Sequence, residues 1–153
     1  MQMEELLACC AAPRWARMVA DGSPYRDQEA LLAAVDAAFA DLSWVEVEQA
    51  LSTHPRIGDR LDGTSREAAW SRREQAGVSR SDLTVAERLA AANRAYEGRF
   101  GHVFLVCADG MTADQIIAAA HRRLGNDVDT ERAVVRTELA AITRLRLSRL
   151  GAS

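Results

Sequence analysis

Three histidines occur in the chain, and one of them, His54, stands where its ring could do proton chemistry. It closes a helical stretch and is followed by Pro55, which pushes its predecessor out of the α region. The ring therefore projects from a fixed corner. A helix C-terminus carries partial negative charge, which is expected to favour the imidazolium by up to about 2 kcal/mol. Such a group can give a proton near neutral pH. The same position also suits a histidine that merely bonds the last carbonyls of its helix. His102, after Gly101, fits a turn role; His121, beside Arg122 and Arg123, fits a solvated face.

A second group lies further along. On a helix, Ser71, Glu74 and Gln75 stand at i, i+3 and i+4 and share one face. A hydroxyl, a carboxylate and an amide side by side suit a small polar ligand, although an exposed face with local ion pairs has the same composition. Arg146 follows Leu139 and Ile142 on the inward stripe of the last helix. An inward arginine needs an anionic partner, either a protein carboxylate or a bound substrate. Arg144 is the fallback for that role.

The elements that must position these residues are helices. A first helical stretch is expected over about 3–20, with Pro13 starting a second helix or kinking the first. A turn at Asp21–Pro24 precedes a helix over about 27–41. Ser43 and Glu46 form a capping-box pair that opens a helix over about 44–53. Residues 55–63 read as a loop, and Thr64 or Ser65 caps a helix to about Ala76. Thr84 with Glu87, and Thr112 with Gln115, are further capping boxes, for helices ending near Phe100 and Leu124. Asp129 is expected to open the last helix, over about 130–149. The apolar run Val103–Cys107 is too short for a helix and reads as a buried extended segment. The expected architecture is all-α: one domain over 1–153, a bundle of seven or eight helices.

Composition narrows the chemistry. The chain has 153 residues, and all 19 of its basic residues are arginine. Without lysine, Schiff-base catalysis, a Walker P-loop and an SxxK acylation site are excluded. A formal net charge of −3 argues against nucleic acid as a partner. The three cysteines form no CxxC pair or His/Cys cluster, so neither a metal site nor a disulfide framework is expected. Reduced thiols in the cytoplasm are the simplest reading. The N-terminal segment does not read as a signal peptide, and no apolar stretch is long enough for a membrane span. Composition alone would equally allow a non-catalytic helical interaction module.

Five blocks in order carry a family resemblance. They are His54-Pro55-Arg56-Ile57-Gly58, Ser71 through Gly77 with Glu74 and Gln75, Asn93 with Tyr96 and Arg99-Phe100-Gly101, Phe104-Leu105-Val106-Cys107-Ala108, and Leu145-Arg146-Leu147. Cys10, Arg14-Trp15, Met18 and Trp44 also fit. Together they resemble the OHCU decarboxylases, which act on 2-oxo-4-hydroxy-4-carboxy-5-ureidoimidazoline in the urate-to-allantoin pathway. The departure is at Arg56 and Ile57, where many members read His-Pro-Asp-Leu-Ala-Gly.

The resemblance implies an all-helical, cofactor-independent carboxy-lyase, usually a homodimer, yielding (S)-allantoin. It implies catalytic roles for His54 and Glu74. It implies substrate contacts from Pro55, Ser71, Gln75, the Phe104–Ala108 segment and Arg146. No metal and no cofactor is expected, because the substrate's own ring C=N, next to the carbon losing CO2, can take the electron pair that most decarboxylases pass to a cofactor.

Overall fold

In the computed structural model, residues 2–57 and 83–151 are described. The expected helix from Thr64 or Ser65 to Ala76, with Ser71, Glu74 and Gln75, lies outside them. The described residues form seven helices and no strand. These are α1 (Met3–Cys9), α2 (Pro13–Asp21), α3 (Gln28–Asp41), α4 (Trp44–Leu51), α5 (Leu83–Phe100), α6 (Ala113–Arg123) and α7 (Val128–Gly151). None of them is long and apolar enough to cross a membrane.

Local chemistry sets the boundaries. Pro13 starts α2 rather than kinking α1, since a proline at the first helical position gives up an N–H that would lack an intrahelical partner anyway. Ser43 Oγ accepts from Glu46 N–H at 3.2 Å while Glu46 Oε1 accepts from Ser43 N–H at 2.9 Å. Thr112 and Gln115 form the same reciprocal pair at 3.1 and 2.9 Å. α5 is described from Leu83 on, and one expected cap is displaced. For α7, Asp127 rather than Asp129 is the capping carboxylate, accepting from Thr130 N–H at 2.7 Å. Asp127 sits where an N-cap side chain can reach back to the first turn, whereas Asp129 is already helical.

The apolar side chains gather in two clusters. One joins α1–α4 with α7 and includes Leu6, Trp15, Val35, Phe39, Leu139 and Ile142. The other joins α5 with α6 and includes Ile57, Leu89, Tyr96, Ile116 and Ile117. Each fully buried large aliphatic or aromatic side chain contributes roughly 1.5–3 kcal/mol of transfer free energy against the conformational entropy lost.

The extended run between α5 and α6 lies between the clusters. Val103, Leu105 and Cys107 pack into the first, while Phe104, Val106 and Ala108 pack into the second. That alternation is the period of two of extended backbone. Gly101, at φ +80°, turns the chain out of α5 into this run, a backbone conformation that costs glycine little.

Candidate active site

His54 follows α4 in a short turn whose carbonyls are already taken. Ser52 N–H donates to Glu48 O at 3.0 Å, Thr53 Oγ1 to Ala50 O at 2.8 Å, and the backbone N–H of His54 to Leu51 O at 3.0 Å. The imidazole is therefore not needed as a cap. The ring is buried, and its Nε2 has no hydrogen-bond partner. An imidazole nitrogen held this way costs about 1–3 kcal/mol in lost hydration, and such atoms call for an explanation.

The loop that carries His54 is held from α5. Asn93 Nδ2 donates to Ile57 O at 3.0 Å. Arg56 makes a two-pronged pair with Glu97, Nε to Oε2 at 2.7 Å and Nη2 to Oε1 at 2.8 Å. Arg56 thus serves the loop's attachment. Pro55 between them is half-buried.

Arg146 is fully buried on α7 and donates from Nη1 to the Cys9 carbonyl at 3.1 Å. Its charge acts on His54. Burial, with that positive charge added, pushes the imidazole down to about 3. At neutral pH His54 is therefore the uncharged base, not the imidazolium expected from the helix terminus. Desolvation of a buried cation and repulsion by a guanidinium outweigh a helix-end effect of a fraction of a kcal/mol to about 2 kcal/mol. Arg144 points elsewhere. It pairs with Asp36 at 3.4 Å on the rim of a cavity of about 350 Å³ between α3 and α7, lined also by Phe39, Arg136 and Ala140. Of the two arginines, the structure puts only Arg146 within electrostatic reach of His54.

In the Phe104–Ala108 segment, Phe104, Leu105, Val106 and Ala108 are buried and Cys107 is half-buried. Cys107 N–H donates to Glu138 Oε1 at 3.4 Å. The Leu105 carbonyl accepts from Arg123 Nη1 at 2.6 Å.

Arg123 belongs to a buried network that its sequence neighbourhood did not signal. Its Nε donates to Glu131 Oε2 at 2.9 Å, and its guanidinium lies 4.6 Å from the Phe104 ring centroid. Tyr96 OH also donates to Glu131 Oε2, and Asn126 Nδ2 to Oε1 at 3.0 Å. Burial alone would raise the Glu131 pKa, but the hydrogen bonds from Arg123, Tyr96 and Asn126 bring it below the ordinary carboxylate value. Burial, with the bond to Glu131, raises Tyr96. His121 and Arg122 are exposed as expected; Arg123, one position on, faces in. The only sequence signal was the presence of Tyr96 in the third block. His102 packs among Trp44, Tyr96 and Phe100 with Nδ1 3.0 Å from Val103 O, a structural position.

The arrangement defines a helical protein with a buried, uncharged imidazole in the field of a buried arginine. Comparisons with known proteins make the class specific. A family model described as OHCU decarboxylase matches residues 1–148. The chain is 30% identical over 138 residues to 2-oxo-4-hydroxy-4-carboxy-5-ureidoimidazoline decarboxylase of Haloferax volcanii, spanning 90% of this chain and 80% of that protein. It is 28% identical over 151 residues to the uric acid degradation bifunctional protein TTL of Arabidopsis thaliana, spanning 96% of this chain but 46% of that protein. The chain thus spans about half the length of that relative. A crystal structure of OHCU decarboxylase in the presence of (S)-allantoin superposes with a TM-score of 0.81 at 27% identity, covering 100% of both chains. A crystal structure of (S)-allantoin synthase shares the fold, with a TM-score of 0.70 at 19% identity, over 96% of this chain and 48% of that one.

The chain belongs to the OHCU decarboxylase family.

Proposed function

We propose that this chain is a carboxy-lyase that converts 2-oxo-4-hydroxy-4-carboxy-5-ureidoimidazoline to (S)-allantoin in urate degradation. Family membership supports the reaction class, and one observation carries the assignment of chemistry: the buried Nε2 of a neutral His54 in the field of Arg146. The carbon that loses CO2 also bears a hydroxyl. As the C–CO2 bond breaks, its electron pair forms a C=C bond to the ureido-bearing carbon and the C=N pair moves onto the ring nitrogen, which takes a proton from solvent. The resulting enol then gives up its hydroxyl proton and takes a proton on the ureido-bearing carbon, which sets the stereochemistry.

In this reading neutral His54 accepts the hydroxyl proton and can return it to one face of the ring. Arg146 offsets the negative charge of the carboxylate and of the electron-rich intermediate. Glu74, Ser71 and Gln75 hold the hydroxyl and ureido groups, and Pro55 with the Phe104–Ala108 backbone lines the ring. The electron sink lies in the substrate, so the residues need to orient, neutralise charge and move protons, without a metal or cofactor. We read residues 1–153 as one catalytic domain, working in the cytoplasm as a homodimer with this small molecule as its partner and with no role for nucleic acid or membrane.

The test generates the substrate in situ from urate and follows circular dichroism. Rapid appearance of one allantoin enantiomer, dependent on the protein, is the expected outcome. Racemic product at the uncatalysed rate would remove the assignment.

A further inference from the structure

One face of α5 presents Leu89, Ala92, Asn93 and Tyr96 to the interior. Leu89, Ala92 and Tyr96 share a core cluster with Ile57, just beyond His54, and with Phe104, Val106 and Ala108. Asn93 lies on that face against the loop that carries His54, and it is only 5% exposed. Its Nδ2 donates to Ile57 O at 3.0 Å. That bond fixes which end of the amide is which, because a carbonyl can only accept. The other end, Oδ1, is buried and receives no hydrogen bond. Buried amide oxygens are almost always satisfied, and this one shares its condition with His54 Nε2.

We propose that Asn93 Oδ1 is a substrate contact that accepts an N–H of the ureido group. The inference rests on the proposed decarboxylation, since a ureido-bearing ring supplies the N–H donors this acceptor lacks. One side chain then does two things. Its amide nitrogen anchors the loop that carries His54, and its amide oxygen fixes the substrate against that loop. The roles of His54 and Arg146 are unchanged; Asn93 adds an orientation constraint beside them.

Two substitutions separate the contact from simple anchoring. Asn93→Ala removes both ends of the amide. Asn93→Asp keeps an acceptor but cannot donate to Ile57 O. Binding of (S)-allantoin is measured by calorimetry and KM by the circular-dichroism assay, with thermal unfolding as the check on folding. A substrate contact weakens (S)-allantoin binding about tenfold or more in Asn93→Ala and raises KM in parallel, while Asn93→Asp recovers binding to within about threefold of the parent protein. A residue that only anchors the loop gives no such recovery, so equal losses in the two variants overturn the proposal, as does unchanged binding in Asn93→Ala.

If Asn93→Ala does not fold, the side-chain amide resonance of Asn93 in the parent protein is followed as (S)-allantoin is added. A saturable shift supports the contact, and an unmoved resonance overturns it. A parent protein that neither turns over the urate-derived substrate nor binds (S)-allantoin would take down the proposed function, and this contact with it. An active parent with an unaffected Asn93→Ala variant sinks the contact alone.

Discussion

Burial and Arg146 push the His54 pKa down to about 3, which keeps the ring uncharged near neutral pH and imposes a pH dependence on folding. In the unfolded chain the same ring titrates near 6.5. Between those values the unfolded state binds more protons, so His54 makes the fold more stable as pH rises and less stable as pH falls through that window. At pH 5 the loss relative to pH 7 is about 2 kcal/mol. The shifted carboxylates Glu46, Asp127 and Glu131 act mostly at lower pH, because their folded-state pKa values are depressed from an ordinary value near 4. Urea unfolding at pH 7 and pH 5 should show this sensitivity in the parent protein and its near absence in His54→Asn. A parent slope that survives in the variant would assign it to another group. For catalysis, His54→Asn should cut kcat by about 100-fold or more with the fold intact. Near-parental turnover would take His54 out of the chemistry.

At the scale of elements, the network of Tyr96 on α5, Arg123 on α6 and Glu131 on α7 is what holds the extended segment at its Leu105 carbonyl. Arg123 and Glu131 are 9% and 1% exposed in their side chains, so removing one charge strands the other. Glu131→Gln should therefore destabilise the protein by roughly 3 kcal/mol, read from the denaturant midpoint; a change under about 0.5 kcal/mol would fit a solvated surface pair instead. The contrast with the helix caps is instructive. Ser43 with Glu46 and Thr112 with Gln115 were legible in the sequence because a cap and its partner lie three residues apart. The extended segment was legible for a similar reason, being an apolar run too short for a helix. The inward turn of Arg123 was not, because nothing local distinguishes it from exposed Arg122. The place of His54 could be read from Pro55, but its protonation could not. Burial and Arg146, from a helix at the other end of the chain, set that.

For the whole molecule, the absence of lysine excludes Schiff-base and other lysine-dependent covalent catalysis. The proposed chemistry asks for none of them, since the electron pair stays in the substrate. Exhaustive dialysis against a chelator should leave turnover unchanged, and restoration of a lost activity by added metal would contradict the cofactor-free reading. The arginines also divide at this scale. Arg14 links α2 to Asp41 and Glu46, helping to bring Glu46 down to about 2, and Arg136 donates to the Phe39 and Leu42 carbonyls. These hold helices together, while buried Arg146 acts electrostatically on His54.

The alternating run from Val103 to Ala108 has one more consequence. Because successive side chains belong to different clusters, neither cluster can open without pulling on a strip that the other needs. The two halves should therefore behave as one cooperative unit. In native-state hydrogen exchange, the slowest amides around Ile116 and Ile117 in α6 and around Val135 and Leu139 in α7 should converge on one opening free energy. A persistent gap of about 2 kcal/mol or more between the two sets would mean that the strip yields before either core does.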